Sequence, residues 1–375
     1  MSGEDAVPPE RSPEENDAIA AAIVALVPPL LQALEALGFI GRHLHPPQLG
    51  RLLAAVGRRD DPVRAALEPF RKLDWPAPLQ RFRELMESAA DSALQAFDGL
   101  RAAAEGDDGV MQAYRALRFV SRALEALYPA AAMLPSVSQF YLEAPARNDR
   151  ALLQRLAEAD PERENVGVMH VDNERGMRGG FSLYVPEYYD AARPHPLIVA
   201  LHGGSGHGRA FLWSWMREAR TRGAVLLSPT AVGDTWSLME PEIDAANIAK
   251  MLHDIRRGWN IDPDRLLLTG MSDGGTFTLV GGLQGASPFT HLAPISAAFH
   301  PFLLEMSDPA RIAGLPIYLV HGALDWMFPI EIARTADRAL AAAGASITFR
   351  EVADLSHTYP RDENPRVMDW FLRAN

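Results

Sequence analysis

The second half of the chain is built from short apolar runs separated by stretches of helical pattern. From about residue 166 the apolar runs are FSLYVP, PLIVALHG, AVLLSP, RLLLTG, LAPISAA, PIYLVHG and SITFREV. The segments between them include IDAANIAKMLHDIRRGW and IEIARTADRALAAAG, whose apolar residues recur at helical spacing. Strands that are apolar on both faces and alternate with helices form a mostly parallel sheet that is covered on both sides. The sequence therefore predicts an α/β domain over residues 166–375.

Residues 18–160 follow a different pattern. They are rich in Ala, Leu, Arg and Glu, and segments such as MQAYRALRFVSRALEALYP place apolar residues at helical spacing. Strand-like alternation is nearly absent, so we expect an all-helical N-terminal domain of five or six helices. Its sequence does not say whether it is a lid, a spacer or an interaction domain, and a homo-oligomer could form through it. The acidic, Pro-rich residues 1–17 are predicted to be disordered.

Residues 18–34 (AIAAAIVALVPPLLQAL) lack charged side chains. Pro28 and Pro29 interrupt this stretch and Glu35 follows it, whereas a membrane-spanning helix needs about 20 apolar residues. We therefore expect a pair of amphipathic or buried helices and no membrane span. The acidic N-terminus also lacks the basic region that opens a signal peptide, which favours a cytoplasmic location.

Composition excludes several functions. The formal net charge of −12 argues against binding to nucleic acid, because the chain has no excess of cations to neutralise phosphates. The chain has no cysteine, which excludes disulfides, thiolate catalysis and cysteine metal sites. His202 and His207 have the spacing of a metal-binding pair, but no carboxylate cluster accompanies them. We therefore predict neither a metal nor a cofactor.

The run TGMSDGGT (269–276) joins the apolar strand RLLLTG to a helical segment. It contains Gly270-Met271-Ser272-Asp273-Gly274, which fits the pattern G-x-S-x-G at a strand-to-helix turn. A serine held at such a strained turn needs very small residues two positions to either side, where the two backbones nearly collide. Ser272 is therefore the candidate nucleophile.

A serine hydroxyl needs a base to remove its proton and an acid to orient that base. Asp325 follows the strand PIYLVHG and His357 follows the strand SITFREV, so the chain order is serine, aspartate, histidine. This order and these loop positions are those of a catalytic triad on a parallel sheet. Ser272, Asp325 and His357 are the predicted catalytic residues.

Other residues compete for these two roles. Asp354 lies three residues before His357 and is interpreted as a turn residue. His291, His300 and His321 also belong to this half of the chain. We expect His321 to pack or to form a hydrogen bond locally. His300 follows a strand near the site and could touch substrate, but we expect it to be structural.

Taken together, LHGGSG (201–206), NIDPDRLLLTGMSDGG (260–275), VHGALDWMFP (320–329) and LSHTYP (355–360) resemble an α/β-hydrolase of the phospholipase/carboxylesterase type. The resemblance lies near the polyhydroxybutyrate-depolymerase-like and feruloyl-esterase-like branches. It implies a serine esterase without a cofactor, acting on a small-molecule ester through an acyl-enzyme. It also implies an oxyanion hole formed by the backbone N–H groups of Asp273 and Gly204. Because the loop reads HGGS rather than HGGG, Gly203 and Ser205 remain alternatives to Gly204.

Two tryptophans and one short connection bear on the substrate. Trp236 and Trp326 lie in polar loop surroundings at the predicted ligand-binding edge of the sheet, and we expect both to contact substrate. The connection between about residue 299 and about residue 316 is too short for a cap domain. A short, open pocket is therefore expected. A peptidase or acyl-peptide hydrolase with the same triad, and a non-catalytic binding protein with this fold, remain alternatives.

Overall fold

The computed structural model describes residues 12–106 and 109–373. Within them, the α-helices are α1 Pro13–His43, α2 Leu49–Val56, α3 Asp61–Lys72, α4 Gln80–Glu105, α5 Gly109–Leu127, α6 Pro135–Phe140, α7 Arg150–Ala157, α8 Gly208–Phe211, α9 Met216–Arg222, α10 Glu242–Gly258, α11 Asp273–Gly282, α12 Phe302–Glu305, α13 Pro309–Ile312, α14 Ile330–Ala342 and α15 Asn364–Phe371. The strands are β1 Gly167–Val171, β2 Phe181–Val185, β3 His195–Leu201, β4 Val225–Pro229, β5 Ile261–Met271, β6 His291–Ile295, β7 Pro316–Gly322 and β8 Ser346–Val352.

The eight strands form one sheet in the order β1-β2-β4-β3-β5-β6-β7-β8. Strands β3 to β8 are parallel, and β1 and β2 add an antiparallel edge. Strands β4 and β6 are buried along their whole length and β3 at all but one residue, and helices lie between most of the strands in sequence. The predicted fold class, a mostly parallel sheet preceded by a helical region, is therefore confirmed. The loops that follow β3 to β8 all leave from the same edge of the sheet.

The seven predicted apolar runs became β2 to β8, whereas the sequence analysis did not identify β1. Strand β1 pairs only with β2, and its residues are half-buried or exposed. An edge strand of this kind needs no continuous apolar run, so the sequence signal is weak. The end of the run LAPISAA is also not a strand, because β6 ends at Ile295 and Ser296 turns away with a φ of 46°.

The expected helix pair at residues 18–34 is a single helix, which corrects the prediction. Helix α1 contains both Pro28 and Pro29. A proline inside a helix costs about 3 kcal/mol, but each fully buried leucine stabilises by about 1.5–3 kcal/mol. Leu26, Leu30 and Leu37 are fully buried on either side of the prolines, so burial offsets the lost hydrogen bonds.

Helix α1 is the one helix in the described ranges that is long and apolar enough to cross a membrane by length and composition. Of its most apolar window, 39% is buried within the protein, and a core helix of a soluble protein meets the same criteria.

The start of α1 falls inside the segment that was predicted to be disordered. Ser12 and Glu15 form a reciprocal capping box, because the Glu15 N–H donates to the Ser12 hydroxyl and the Ser12 N–H donates to the Glu15 carboxylate. Residues 13–17 are therefore helical, and residues 1–11 lie outside the described residues.

The chain divides into two compact units whose boundaries differ from the predicted ones. One unit comprises the described part of Met1–Gly38 together with Leu53–Val137, and the other comprises Phe39–Leu52 and the described part of Ser138–Asn375. The segment Phe39–Leu52, which includes the end of α1, thus belongs to the unit that contains the sheet. In the first unit, α4 and α5 approach closely because Gly99 faces Ala116, where an added Cβ would lie 2.8 Å from that of Ala116.

Candidate active site

Ser272 occupies a tight turn between β5 and α11. Its backbone has a φ of 56° and a ψ of −120°, a conformation that costs on the order of 1–3 kcal/mol for a residue with a side chain. Two hydrogen bonds hold the turn: the Ser272 N–H donates to the Ile295 carbonyl (3.0 Å), and the Thr276 N–H donates to the Ser272 carbonyl (2.8 Å). The ends of β6 and α11 therefore fix the serine in place.

Glycine is required on both sides of this turn for steric reasons. A Cβ on Gly270 would lie 2.8 Å from the Cβ of Leu201, and a Cβ on Gly274 would lie 2.5 Å from the His202 carbonyl oxygen. Strand β3, strand β5 and helix α11 therefore approach more closely than any side chain would permit.

The structure brings Ser272, His357 and Asp325 together at the carboxyl edge of the sheet. Nε2 of His357 lies 3.0 Å from Oγ of Ser272, and Nδ1 lies 2.9 Å and 3.1 Å from the two Asp325 carboxylate oxygens. A carboxylate only accepts hydrogen bonds, so Nδ1 carries the proton and Nε2 is free to accept the serine hydroxyl proton. All three side chains are largely buried.

The Asp325 carboxylate is held in its charged form. Burial opposes ionisation, but the hydrogen bond from His357 and the N–H groups of Met327 and Phe328 (3.0 Å and 2.8 Å) outweigh burial, and the net effect lowers the pKa of Asp325. The carboxylate therefore remains ionised at neutral pH and is fixed in orientation by three donors.

His321 lies behind the aspartate without neutralising it. Its Nε2 donates to the Phe328 carbonyl (2.7 Å) and is 3.6 Å from the Asp325 carboxylate. Burial lowers the pKa of His321, so the ring is neutral. The expected local hydrogen bond of His321 is thus present, and it fixes the turn whose N–H groups orient Asp325.

The glycine loop after β3 lies against the nucleophile. A Cβ on Gly203 would be 3.5 Å from the Ser272 Cβ, and one on Gly204 would be 2.7 Å from the Asp273 carboxylate. The Ser205 N–H donates to the Asp234 carbonyl (3.2 Å), so among the three alternatives Ser205 has its N–H engaged elsewhere. Gly203 and Gly204 remain as candidate donors beside Asp273.

His202 controls the orientation of the peptide between Gly203 and Gly204. The Gly203 carbonyl accepts hydrogen bonds from His202 Nδ1 (2.7 Å) and from the Gly206 N–H (2.9 Å). Because the carbonyl and the N–H of a trans peptide point in opposite directions, these bonds also fix the Gly204 N–H, on the far side from His202. His202 Nε2 accepts from the Ala231 N–H (3.1 Å), so the neutral ring uses both nitrogens.

Trp236, which was expected to contact substrate, lies in the core of the domain. It is 2% exposed, its ring packs against His202 and Phe277, and its N–H donates to the His202 carbonyl (2.7 Å). Through this hydrogen bond Trp236 supports the start of the glycine loop. Trp326, in contrast, is 47% exposed on the loop that follows β7, beside Asp325.

The competing residues lie apart from the hydrogen-bonded group. The Asp354 side chain is largely exposed and pairs with Arg42. His300 is exposed and accepts the N–H of Phe302, and His291 packs against Trp370 and Phe371.

Sequence reasoning missed several residues that shape the site. The Thr235 hydroxyl donates to the Asp273 carboxylate (2.6 Å), and the buried Asp244 carboxylate accepts the N–H groups of Val232 and Ser237. These contacts fix the loop after β4 beside the nucleophile. Thr235 lies in the segment AVGDTWSL and Asp244 on α10, but nothing in either sequence indicates these partners.

Residues 239–373 match the model of the Phospholipase/Carboxylesterase family. Over 206 residues the chain is 26% identical to a bifunctional acetylxylan esterase/xylanase of Neocallimastix patriciarum, an alignment that covers 52% of this chain and 28% of that protein. Over 173 residues it is 24% identical to a probable feruloyl esterase C of Aspergillus oryzae, covering 44% of this chain and 60% of that protein. A crystal structure of a thermostable esterase is also similar, with a TM-score of 0.45 and 22% identity over 54% of this chain and 61% of that one.

These alignments span 28% and 60% of the lengths of the two relatives. For the matched part of the chain, the resemblance to the α/β-hydrolase serine esterases is confirmed.

The arrangement around Asp325 predicts very different effects for two aspartates. Asp325→Asn should lower kcat on the order of 10⁴-fold, because an amide cannot hold the Nδ1–H tautomer or stabilise a charged imidazole. Asp354→Asn should have a far smaller effect, because Asp354 does not contact the ring. Steady-state kinetics of both variants would test this. A larger loss of kcat in Asp354→Asn would show that Asp354, and not Asp325, orients His357.

His202 predicts a specific loss of stability in acid. Burial lowers the pKa of His202 to about 3, whereas an unfolded histidine titrates near 6.5. Between these values the unfolded chain binds the proton and the folded protein does not, so stability falls as the pH is lowered. His202 alone should remove about 2 kcal/mol from the free energy of unfolding between pH 6.5 and about pH 5.

Urea unfolding at the two pH values would measure this difference. It should shrink in His202→Asn and persist in His253→Asn, which replaces an exposed histidine on α10. An unchanged pH dependence in His202→Asn would show that another group is responsible.

Proposed function

We propose that the protein is a serine hydrolase that cleaves carboxylic esters through an acyl-enzyme intermediate. The observation that carries the proposal is the continuous line of hydrogen bonds from Ser272 through His357 to Asp325. The family match and the esterase relatives support the same reaction class.

In the proposed first step, Oγ of Ser272 attacks the ester carbonyl carbon while His357 Nε2 takes the hydroxyl proton. The imidazolium that forms is stabilised by the ionised Asp325 carboxylate. Because His321 is neutral, this negative charge is available to His357 alone. The tetrahedral intermediate then carries its negative charge on the former carbonyl oxygen.

The backbone N–H groups of Asp273 and Gly204 are proposed to bind this oxyanion. The Asp273 N–H lies at the start of α11, where the helix dipole favours negative charge. The Gly204 N–H is fixed by the two hydrogen bonds that the Gly203 carbonyl accepts. Fixed donors of this kind stabilise developing charge without reorganising during the reaction.

Collapse of the intermediate breaks the bond to the alcohol oxygen, and His357 returns its proton to the leaving alcohol. A water molecule then attacks the acyl-serine, with His357 again taking the proton, and releases the carboxylic acid and free Ser272. The reaction requires no group beyond those of the chain and water.

The substrates proposed are small or short-chain esters with an apolar group, and the loops around the site support this proposal. Between β6 and β7 the structure contains only the one-turn helices α12 and α13, so no cap of domain size is inserted there. Apolar side chains are exposed in the connections that follow the strands at this edge. They are Val232, Met239, Phe302, Met306, Leu324, Trp326 and Met327.

Labelling with a fluorophosphonate tests the nucleophile. The probe should react with Ser272 in the full-length protein, because the serine is hydrogen-bonded to its base. Ser272→Ala should lose both labelling and hydrolysis of p-nitrophenyl esters. Mass spectrometry of the labelled peptide identifies the modified residue.

His357→Ala should also abolish turnover, whereas His300→Ala provides the control because His300 lies apart from the serine. Labelling that persists in Ser272→Ala, or a His300→Ala variant as inactive as His357→Ala, would overturn the assignment.

The acyl-chain dependence tests the proposed open pocket. One methylene that fits an apolar pocket is worth about 1 kcal/mol or more, but a pocket that ends early gains nothing from longer chains. We therefore expect kcat/KM for p-nitrophenyl acetate or butyrate to exceed kcat/KM for the palmitate. A steady increase in kcat/KM from acetate to palmitate would contradict the open pocket.

A further inference from the structure

The loop that carries His357 is contacted by a segment more than 300 residues earlier in the chain. The segment Phe39–Leu52 belongs to the same compact unit as the sheet. Within it, the end of α1 and the residues that follow lie against residues 354–362, which we term the histidine loop. None of these early residues falls within the matched range 239–373.

Arg42 makes the main contacts. Its side chain is 8% exposed, and its Nε and Nη2 donate to the carboxylates of Asp362 (2.6 Å) and Asp354 (3.0 Å). These two aspartates lie on either side of His357 in the loop. The planar guanidinium thus bridges the two ends of the histidine loop, which a single point charge on a lysine could not do as well.

Two further hydrogen bonds reach the immediate neighbours of His357. The Thr358 hydroxyl donates to the Arg42 backbone carbonyl (3.0 Å), and Nδ1 of His45 lies 3.1 Å from the Ser356 hydroxyl. Both hydroxyl residues are buried. The residues before and after the histidine are therefore both tied to the early segment.

The rest of the loop is tied to the α/β domain itself. The Leu355 carbonyl accepts the N–H of Leu324, and the Tyr359 hydroxyl donates to Asn364 (2.8 Å). Between these two anchors lie Ser356, His357 and Thr358. Of these three, Ser356 and Thr358 form side-chain hydrogen bonds with His45 and with the Arg42 carbonyl, and His357 lies between them.

We infer that Arg42 and His45 are positioning residues that hold His357 in line between Asp325 and Ser272. This inference rests on the proposed esterase function. It gives part of the N-terminal region a role in the reaction. The segment Phe39–Leu52 supplies contacts to the histidine loop that residues 239–373 do not supply by themselves. Loss of these contacts should impair proton transfer more than substrate binding, because neither side chain reaches the nucleophile.

The test uses the full-length protein with Arg42→Ala, Arg42→Lys and His45→Ala. A displacement of about 1 Å in a catalytic group can cost on the order of 100-fold in rate. We therefore expect Arg42→Ala to lower kcat by roughly 10- to 100-fold with little change in KM. Arg42→Lys should recover part of the loss, and His45→Ala should lower kcat by a smaller factor.

Arg222→Ala is the matched control. Arg222 belongs to the same compact unit and also bridges two acids, Glu143 (2.7 Å) and Asp369 (2.8 Å), which lie outside the histidine loop. It should retain kcat. Thermal unfolding of all variants would show whether Arg42→Ala is destabilised more than the control.

A double-variant cycle separates positioning from general damage. If Arg42 acts through His357, Arg42→Ala should not lower the residual rate of His357→Ala further, since residues that act as one unit are strongly non-additive. The same factor of loss in both backgrounds would overturn the inference. If Arg42→Ala does not fold, the same cycle with His45→Ala decides.

The outcome is also distinct from that of the proposed function. A wild-type protein without hydrolase activity would refute the esterase, whereas an active wild type with fully active Arg42→Ala and His45→Ala variants would refute only the positioning role.

Discussion

The close approach of β3, β5 and α11 at Gly270 and Gly274 determines the position of Ser272 and of the glycine loop beside it. It forces Ser272 into its strained turn and brings the glycine loop after β3 within contact distance of the serine. The strain of about 1–3 kcal/mol is sustained because buried residues of β3 and β5, among them Leu201 and Gly270, meet there. A side chain at either glycine would move Ser272 and the glycine loop together.

Burial also assigns the protonation states around the site. The hydrogen bonds from His357 and from the turn after β7 keep the Asp325 carboxylate ionised although it is largely buried. His202 and His321 are kept neutral by burial and serve as hydrogen-bond supports, one for the glycine loop and one for the turn after β7. The neutrality of His321 matters because a positive charge there, 3.6 Å from the Asp325 carboxylate, would compete with His357 for the aspartate.

The strands and the three hydrogen-bonded residues could be predicted from sequence because each leaves a local signal. A strand buried on both faces must be continuously apolar, and a nucleophile turn must have glycines at fixed spacing. The features that the sequence did not predict depend on contacts between residues that are far apart in the chain or on burial in the folded protein. The continuity of α1 through Pro28 and Pro29 depends on burial, and the burial of Trp236 depends on His202 and Phe277, none of which is visible in a short window.

The pairing of Arg42 with the histidine loop has a consequence for how the protein folds. The Arg42–Asp354 and Arg42–Asp362 contacts join residues 312 and 320 positions apart. During synthesis the arginine emerges near the beginning and its partners near the end, so these contacts can form only when almost the whole chain is available. Loop-closure entropy grows only with the logarithm of loop length, so such a distant contact costs little more than a nearer one. A chain truncated before residue 354 could form most of the sheet but would lack His357. The hydrogen-bonded group of Ser272, His357 and Asp325 is therefore among the last parts of the protein to be completed.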